Sequence, residues 1–277
     1  MPDGKPDARL DEKTVAAYLE RIAADPPARP DADALRHLHE RHVMSVPFDS
    51  IDYHLGAEIH MDERVIDKVV HQRRGGGCYE INTAFFLLLA SLGFDLTLHQ
   101  GRLRIGDRAT PPYHHLLATV AIDGERWLVD IGFGKGSRHP LLLGSARPQE
   151  DPHGEFTLRH VDDGAIDVYR NGKPMYCFYD EPVELIDFRQ TLWWYRTNPR
   201  SPFLTNLFCS LPLPGGWVSL RDDLLTLTTG REKRTERLAD DDAVVEAYEK
   251  WFGIRLDKRP VPSPHMTNSL RFSFEED

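Results

Sequence analysis

Hydrophobic residues in the first third of the chain recur every three or four positions, the spacing that places them on one face of a helix. The last of these segments is almost continuously apolar and stops at Gly93, which is typical of a buried helix. No segment before residue 95 alternates like a strand, so residues 1–94 are predicted to form a helical unit. Four helices are predicted. The first begins after Asp11, and the others run from Asp31 or Asp33 to about Met44, from Asp62 to Gln72, and from Ile81 to Leu92.

Beyond residue 95 the pattern changes to the alternation that strands show. Two β-rich runs, His115 to Ile122 and Glu125 to Ile131, flank Asp123-Gly124, a pair that favours a tight hairpin with a primed turn. Turn signals at Asp162-Asp163-Gly164 and Asn171-Gly172 separate further short strands. Residues 95–190 are therefore predicted to form an antiparallel barrel or sandwich.

The last part of the chain, residues 191–277, mixes both patterns, so the fold class predicted for the whole chain is α+β. Residues 217–220 and 224–228 indicate a hairpin, and Ala243 to Phe252 indicates an amphipathic helix that stops at Gly253. The tail from Lys258 is rich in proline and polar residues and is expected to be loosely held.

Composition narrows the class of protein. Of the 277 residues, 40% are hydrophobic and 28% are charged, as in soluble globular proteins. The longest apolar stretch, Ala84 to Ala90, is far shorter than the ~20 residues of a membrane span, and the N-terminus lacks the features of a signal peptide. A cytoplasmic protein without a membrane partner is predicted. The net charge of -10 argues against nucleic acid and requires a local basic rim for any anionic ligand.

Candidate chemistry begins at the stretch Arg74-Gly75-Gly76-Gly77-Cys78. Cys78 falls in the first turn of the predicted apolar helix, where free N–H groups and the helix dipole favour a thiolate. The other cysteines, Cys177 and Cys209, fall in strand-like and loop contexts, and no Cys-x-x-Cys pair exists. Neither a disulfide framework nor a zinc ribbon is indicated. In the alternative interpretation, Cys78 is simply a small core residue.

The predicted hairpin supplies partners for Cys78. Counting back from a two-residue turn at Asp123-Gly124 places Leu117 opposite Asp130. His115 and Asp130 then share a face as diagonal neighbours, with backbones roughly 7–8 Å apart, whereas His114 points the other way. The opposite face is a predicted core layer of Leu116, Ala118, Val120, Ile122, Trp127, Val129 and Ile131.

Cys78, His115 and Asp130 together supply a nucleophile, a base and a carboxylate that orients the base. A carboxylate on one ring nitrogen fixes the tautomer and stabilises the imidazolium, which in turn keeps a thiolate ionised. Two alternatives remain open at this point: a structural histidine, and an aspartate that bonds only backbone. A metal site that also uses His114 lacks familiar zinc spacing, so no metal is expected.

These residues resemble the arylamine N-acetyltransferases, and the resemblance extends over nearly the whole chain. It implies that Cys78, His115 and Asp130 form a cysteine-protease-like catalytic triad. It also implies a helical bundle (1–94), a β-barrel (95–190) and an α/β lid with a C-terminal tail (191–277). The motifs that carry it are Tyr18-Leu19-Glu20-Arg21-Ile22, Val46-Pro47-Phe48, Arg74 through Asn82, His115-Leu116-Leu117, and Trp127 through Gly134.

Two segments depart from the pattern of the family. Phe48-Asp49-Ser50-Ile51 stands where Phe-Glu-Asn-Leu is usual, and Gly77 stands where a larger side chain is common. Neither touches the triad. Gly77 is expected to alter the acceptor pocket or to loosen the loop.

The activity implied by the resemblance is a two-step transfer of xenobiotic metabolism. The acetyl group passes from acetyl-CoA through an acetyl-cysteine to arylamines, arylhydroxylamines or hydrazines. The resemblance makes Phe48, Phe133 and Phe203 candidates for the wall of the acceptor pocket. The CoA phosphates need positive charge or free N–H groups, which follow Asp130 directly at Gly134, Lys135, Gly136 and Arg138. A monomer or homodimer is expected.

Other classes of function remain open on the sequence. A macrolactam-forming amide synthase would use the same three residues on a large polyketide thioester. A cysteine hydrolase would release acetate without an amine. A binding module would carry an inert cysteine, which alkylation of Cys78 near neutral pH would distinguish from an enzyme.

Overall fold

The computed structural model describes residues 4–6, 8–106, 108–161 and 164–265. The helices are α1 (Glu12–Ile22), α2 (Ala32–Ser45), α3 (Ile51–Leu55), a π-helix (Asp67–His71), α4 (Cys78–Ser91), a 3-10 helix (Leu185–Phe188), α5 (Arg189–Thr197), α6 (Pro202–Thr205) and α7 (Asp241–Phe252). The strands are β1 (Phe48–Asp49), β2 (Asp95–Ile105), β3 (Arg108–Ala109), β4 (His115–Ile122), β5 (Glu125–Val129), β6 (Leu141–Leu142), β7 (Gln149–Asp151), β8 (Gly154–His160), β9 (Ala165–Arg170), β10 (Lys173–Tyr179), β11 (Phe208–Leu213), β12 (Gly216–Arg221), β13 (Leu224–Thr229) and β14 (Glu232–Arg237).

Local capping explains where the N-terminal helices begin. The Asp11 carboxylate accepts from the Thr14 N–H at 2.7 Å, and Asp31 caps α2 in the same way. α4 is buried from Cys78 to Ala90, and Gly93 follows it with φ +89°. Its side chains fill the largest core cluster, in which α4 packs against α1, β2 and β4. The predictions for α1, α2 and α4 are confirmed.

The structure corrects two predictions for the N-terminal region. The helix predicted from Asp62 to Gln72 is present but shorter, because helical backbone covers only residues 65–71 and includes the π-helix. The Asp62 carboxylate accepts from the Arg64 N–H and favours a turn before it. Strand β1 also contradicts the all-helical prediction before residue 95. β1 pairs with β11 through Phe48↔Ser210 and Asp49↔Cys209, a distant pairing that local periodicity does not reveal.

The central part is a nine-stranded antiparallel sheet that nearly closes into a barrel, in the order β6-β5-β4-β2-β10-β9-β8-β7 with β3 on β2. The turns at Asp123-Gly124 and Asn171-Gly172 have positive φ at both residues, as primed hairpin turns require. Val120 pairs with Trp127, which confirms the predicted register. The predicted core layer is also confirmed, since its members lie in or against the cluster around α4. The turn signal at 162–163 lies outside the described residues.

The second sheet has the order β1-β11-β12-β13-β14, and α7 packs on it through Val244, Tyr248 and Phe252. The predicted hairpin is strands β12 and β13, and the predicted helix is α7, which Asp240 caps and Gly253 ends. Cys209 lies in β11 rather than in a loop. The part of the tail beyond residue 265 lies outside the described residues. Within the described ranges, no helix combines the length and apolar character that crossing a membrane requires.

Candidate active site

Helix α4 places Cys78 at its first position. Gly77 is the N-cap, and its N–H donates to the Glu80 carboxylate at 3.2 Å. The N–H groups of the first turn have no partner within a helix, so those of Cys78 and Tyr79 are available to a ligand. The Cys78 side chain is buried, 5% exposed, in the cluster that also contains Phe203 and Tyr53.

His115 and Asp130 meet as the strand geometry predicted. The His115 Nε2 lies 2.7 Å from Asp130 Oδ2, and both residues are nearly fully buried. The predicted pairing of Leu117 with Asp130 is wrong, because the ladder between β4 and β5 ends at Ala118↔Val129. His114 instead contacts Tyr195, whose hydroxyl donates to the His114 carbonyl at 2.8 Å.

Asn82 is a residue of this site to which no role was assigned from the sequence. Its amide donates to the Leu116 carbonyl at 2.6 Å and to Asp130 Oδ1 at 3.1 Å, and its oxygen accepts from the Ile131 N–H at 3.0 Å. These bonds take the place of ladder pairing beyond Val129, which ends β5 two residues earlier than predicted. Asn82 lies one helical turn after Cys78 and is the last residue of the motif that begins at Arg74, and these are the signals in the sequence for its position.

Gly132 permits the close approach between the chain after β5 and the start of α4. A Cβ at this position would lie 2.9 Å from the Cys78 Cα and 2.6 Å from the Asn82 Nδ2. Its N–H also donates to Asp130 Oδ1 at 3.0 Å. Glycine is therefore required here for space.

The electrostatic balance joins the three predicted residues. Burial lowers the pKa of His115, but the Asp130 carboxylate and a hydrogen bond with Cys78 outweigh burial and raise it to about 10. Burial likewise opposes ionisation of Asp130, yet His115, Asn82 and the Gly132 N–H lower its pKa. Because Asp130 occupies Nε2, the ring nitrogen left for the thiol is Nδ1. A protonated His115 ring, held by Asp130, can therefore face Cys78.

A group of buried charged residues holds the glycine-rich loop in place. The Lys68 ammonium lies 2.7 Å from both Asp52 and Glu80, and the Arg74 guanidinium lies 2.6 Å from Asp52. Since Glu80 also accepts from the Gly77 N–H, these ion pairs fix the turn that presents the cysteine. This group was not predicted from the sequence, because its members come from three different helices and the glycine-rich loop.

Helix α2 carries a buried histidine that is expected to make the stability of the fold depend on pH. Burial lowers the pKa of His39 to about 4, so its ring stays neutral in the folded state while the unfolded chain binds a proton below pH 6.5. We expect His39 to remove roughly 3 kcal/mol from the free energy of unfolding as the pH falls from 6.5 to 4. Denaturant unfolding at several pH values measures this loss. His39→Gln, which can keep the bond to the Arg138 carbonyl, is expected to give a shallower pH dependence, and an unchanged slope would contradict the assignment.

The loop from Gly134 to Arg138 follows the site directly. Gly134 has φ +73° and lies against the Phe48 ring. His153 hydrogen-bonds the Gly136 carbonyl at 2.9 Å, and Asp151 accepts from the Arg138 N–H. The Arg138 guanidinium forms an ion pair with Glu40 at 2.9 Å, so part of its charge is already compensated.

Two clefts border this loop, between the barrel and the second sheet. The larger has a volume of about 890 Å³ and the smaller about 180 Å³, and Lys135, Trp217 and Lys233 line both. No Asp or Glu within the described ranges lines either cleft, although the whole chain carries a charge of -10. The basic residues of the larger cleft include Lys135, Arg138, Arg170, Lys173, Arg231 and Lys233.

The three aromatic residues predicted for the pocket belong to two groups. Phe48 and Phe203 lie in one aromatic group, with ring centroids 6.3 Å apart. Phe133 packs edge-on against His115 at 5.3 Å and lines the larger cleft. In the described part of the chain, no three His, Cys, Asp or Glu side chains are arranged to hold a metal ion.

Asp49 and Ser50, two of the residues that depart from the family pattern, have specific partners. Asp49 is buried and its carboxylate accepts from the Ile51 N–H at 2.9 Å. The Ser50 hydroxyl donates to the Asn206 carbonyl at 2.7 Å and accepts from the Phe208 N–H at 3.1 Å. Both residues thus tie α3 to the second sheet.

Comparisons with known proteins agree with this architecture. A family model described as N-acetyltransferase matches residues 31–261. The arylamine N-acetyltransferase of Mycolicibacterium smegmatis is 33% identical over 255 residues, covering 87% of this chain and 92% of that protein. The solved arylamine N-acetyltransferase of Salmonella typhimurium superposes with a TM-score of 0.81 at 28% identity, covering 89% and 92% of the two chains. The Mycobacterium marinum enzyme in complex with CoA gives a TM-score of 0.79 at 28% identity, covering 87% and 92%.

The fold and these matches define the class of protein as an acyltransferase. The chain belongs to the arylamine N-acetyltransferase family.

Proposed function

We propose that this enzyme transfers an acetyl group from acetyl-CoA to an aromatic amine or hydrazine through an acetyl-cysteine at Cys78. The observation that carries the proposal is the buried His115–Asp130 pair, 2.7 Å apart, beside the first residue of α4. The names of the relatives support acetyl transfer to arylamines, and the CoA complex of a similar structure supports the donor.

In the first step, the Cys78 thiolate attacks the thioester carbonyl. The N–H groups of Cys78 and Tyr79 are the proposed donors to the oxyanion, because they lie at the positive end of the α4 dipole. As the thioester bond breaks, the CoA sulfur takes the proton of the His115 imidazolium and leaves as a thiol. The products are acetyl-Cys78 and a neutral His115.

In the second step, the amine attacks the acetyl-cysteine and neutral His115 accepts its proton. Acetylation removes the charge of Cys78, which is one cause of the raised pKa of His115, but the Asp130 carboxylate remains. Asp130 therefore stabilises the imidazolium as it forms. Cys78 then leaves as the thiolate, which restores the starting ion pair.

A screen of amines and hydrazines with acetyl-CoA and propionyl-CoA tests this function by following free CoA thiol. Stoichiometric CoA release without amine, and continuous release with amine, is the expected result. Continuous release without amine would indicate a hydrolase. If simple arylamines gave no turnover while a polyketide thioester did, the enzyme would be a macrolactam synthase.

Cytoplasmic location and the monomeric or dimeric state stay predictions.

The CoA phosphates are proposed to bind along the larger cleft, which is lined by basic residues. Lys135 lines both the larger and the smaller cleft. Lys135→Ala is expected to raise the Michaelis constant for acetyl-CoA about three- to tenfold, because it removes one charge-assisted hydrogen bond, while the constant for the amine stays nearly the same. Initial rates at varied acetyl-CoA measure this. Lys13→Ala, on the exposed face of α1, is the matched control.

Arg138→Ala tests the second basic residue that was predicted from the sequence to bind the CoA phosphates. Because Arg138 pairs with Glu40, its loss is expected to reduce stability as well as donor binding. An unchanged acetyl-CoA constant in the double variant of Lys135 and Arg138 would remove both residues from the donor site.

A further inference from the structure

The loop from Gly134 to Arg138 ends at a buried aspartate of the barrel. Asp151, the last residue of β7, accepts hydrogen bonds from the Arg138 N–H at 3.0 Å and the His139 N–H at 2.9 Å. Its carboxylate also accepts from the His153 N–H at 2.8 Å, and its side chain is 1% exposed. Burial opposes ionisation of this carboxyl, yet His139 and the N–H groups of Arg138 and His153 lower its pKa to about 2. The end of the loop is therefore held by a buried negative charge.

Two carbonyl groups of the same loop are bound by residues that follow Asp151. The His153 ring donates to the Gly136 carbonyl at 2.9 Å, and the Arg170 guanidinium donates to the Lys135 carbonyl at 3.3 Å. Arg170 also donates to the His153 carbonyl at 2.6 Å, which joins these two donors to each other. The turn that begins at Asp151 thus fixes both the carbonyl groups and the end of the loop.

The remaining N–H groups of the loop differ from these. Within the described ranges, the N–H groups of Gly134, Gly136 and Ser137 have no hydrogen-bond partner, although Ser137 is only 8% exposed. An unpaired N–H in a buried segment is rare, and N–H groups close together in a turn form concavities that bind anions. Gly134 has φ +73°, a left-handed conformation that is typical of such turns. These N–H groups therefore fit an anion beside the Lys135 side chain, which lines both clefts.

We propose that Asp151 is a positioning residue for the acetyl donor: it fixes the loop so that the N–H groups of Gly134, Gly136 and Ser137 are already arranged to bind the diphosphate of acetyl-CoA. This inference rests on the proposed function. No carboxylate within the described ranges lines either cleft, so Asp151 acts through the loop and not by contact with the donor. Binding groups that are held in place beforehand lose less conformational entropy when the ligand binds, which favours affinity.

Asp151→Asn tests this role, because it keeps the size of the side chain but removes its charge and one of its two acceptor oxygens. Initial rates compare acetyl-CoA with S-acetylpantetheine, which has the same thioester but no phosphate. The variant is expected to raise the Michaelis constant for acetyl-CoA about tenfold, with kcat within about twofold of the wild type, and to keep kcat/KM for S-acetylpantetheine. Titration calorimetry with CoA is expected to show the same loss as a higher Kd.

Asp180→Asn is the matched control. It also removes a carboxylate that binds an arginine of the barrel, but its partners Arg126 and His99 lie outside the loop. Its constants for both donors, and its Kd for CoA, are expected to equal those of the wild type. The rate at which iodoacetamide labels Cys78 shows whether each variant keeps an intact site, and it is expected to be unchanged in both.

Three results would overturn the inference: an unchanged Kd for CoA in Asp151→Asn, an equal loss with both donors, or slower labelling of Cys78. The last two would show that Asp151 supports the fold as a whole and not the binding of phosphate. Failure of the wild type to release CoA from acetyl-CoA is a different result, and it would overturn the proposed function itself.

Discussion

Replacing Cys78 with alanine is expected to abolish acetyl transfer, lowering the rate on the order of 10⁴- to 10⁶-fold, as removal of a nucleophile does in comparable enzymes. Cys78→Ser is expected to be nearly as inactive, because a hydroxyl is far harder to ionise than a thiol. CoA release from acetyl-CoA, with and without amine, measures the loss.

The other cysteines provide matched controls for that result. Cys177 and Cys209 are buried in β10 and β11, and burial raises the pKa of the Cys209 thiol, so neither is presented for attack. Cys177→Ala and Cys209→Ala are expected to keep most of the activity. Mass spectrometry after incubation with acetyl-CoA would show one acetyl group, on Cys78. An active Cys78→Ala protein, or an acetyl group on Cys177 instead, would refute the mechanism.

Replacing His115 with glutamine is expected to lower the rate of Cys78 acetylation about 10²- to 10⁴-fold, because the imidazolium that pairs with the thiolate is lost. Labelling of Cys78 by iodoacetamide should slow at neutral pH and recover only at higher pH. Pre-steady-state CoA release and the labelling rate across pH measure the two effects.

His114→Gln is the neighbouring control. The Tyr195 hydroxyl donates to the His114 carbonyl, which the substitution keeps, and it also lies 3.2 Å from the His114 Nδ1. Burial lowers the pKa of the His114 ring to about 4. This neutral ring faces away from Asp130, so only a small loss of activity is expected. If the His114 variant lost rapid labelling at neutral pH and the His115 variant kept it, the assignment of the base would be wrong.

The choice between these two histidines could be predicted from the local sequence pattern. The Asp123-Gly124 turn sets the register of β4 and β5, and side chains alternate between the two faces of a strand. His115 and Asp130 could therefore be placed together from sequence alone. Helix α4 was equally predictable, because its apolar run and Gly93 are local features that define a buried helix and its end.

The residues by themselves and the family resemblance predicted different features of this protein. The residues alone indicated a cysteine, a histidine and a carboxylate. The motifs indicated the acyl donor and acceptor, which local periodicity cannot supply. Neither of them predicted that Arg138 pairs with Glu40. The positive charge of Arg138, near the predicted phosphate site, is compensated by a carboxylate of α2, which is far away in the chain.

Sequence by itself determined the features that depend on neighbours along the chain: the caps of α1, α2 and α7, the primed turns, the position of Cys78 and the shared face of His115 and Asp130. Only the tertiary structure decided which distant groups meet. Asn82 bonds Asp130 across 48 positions, and Tyr53 stacks on Phe203 across 150. Such contacts arise when separate elements pack together, and the side chains involved carry no periodic signal that would announce their partners.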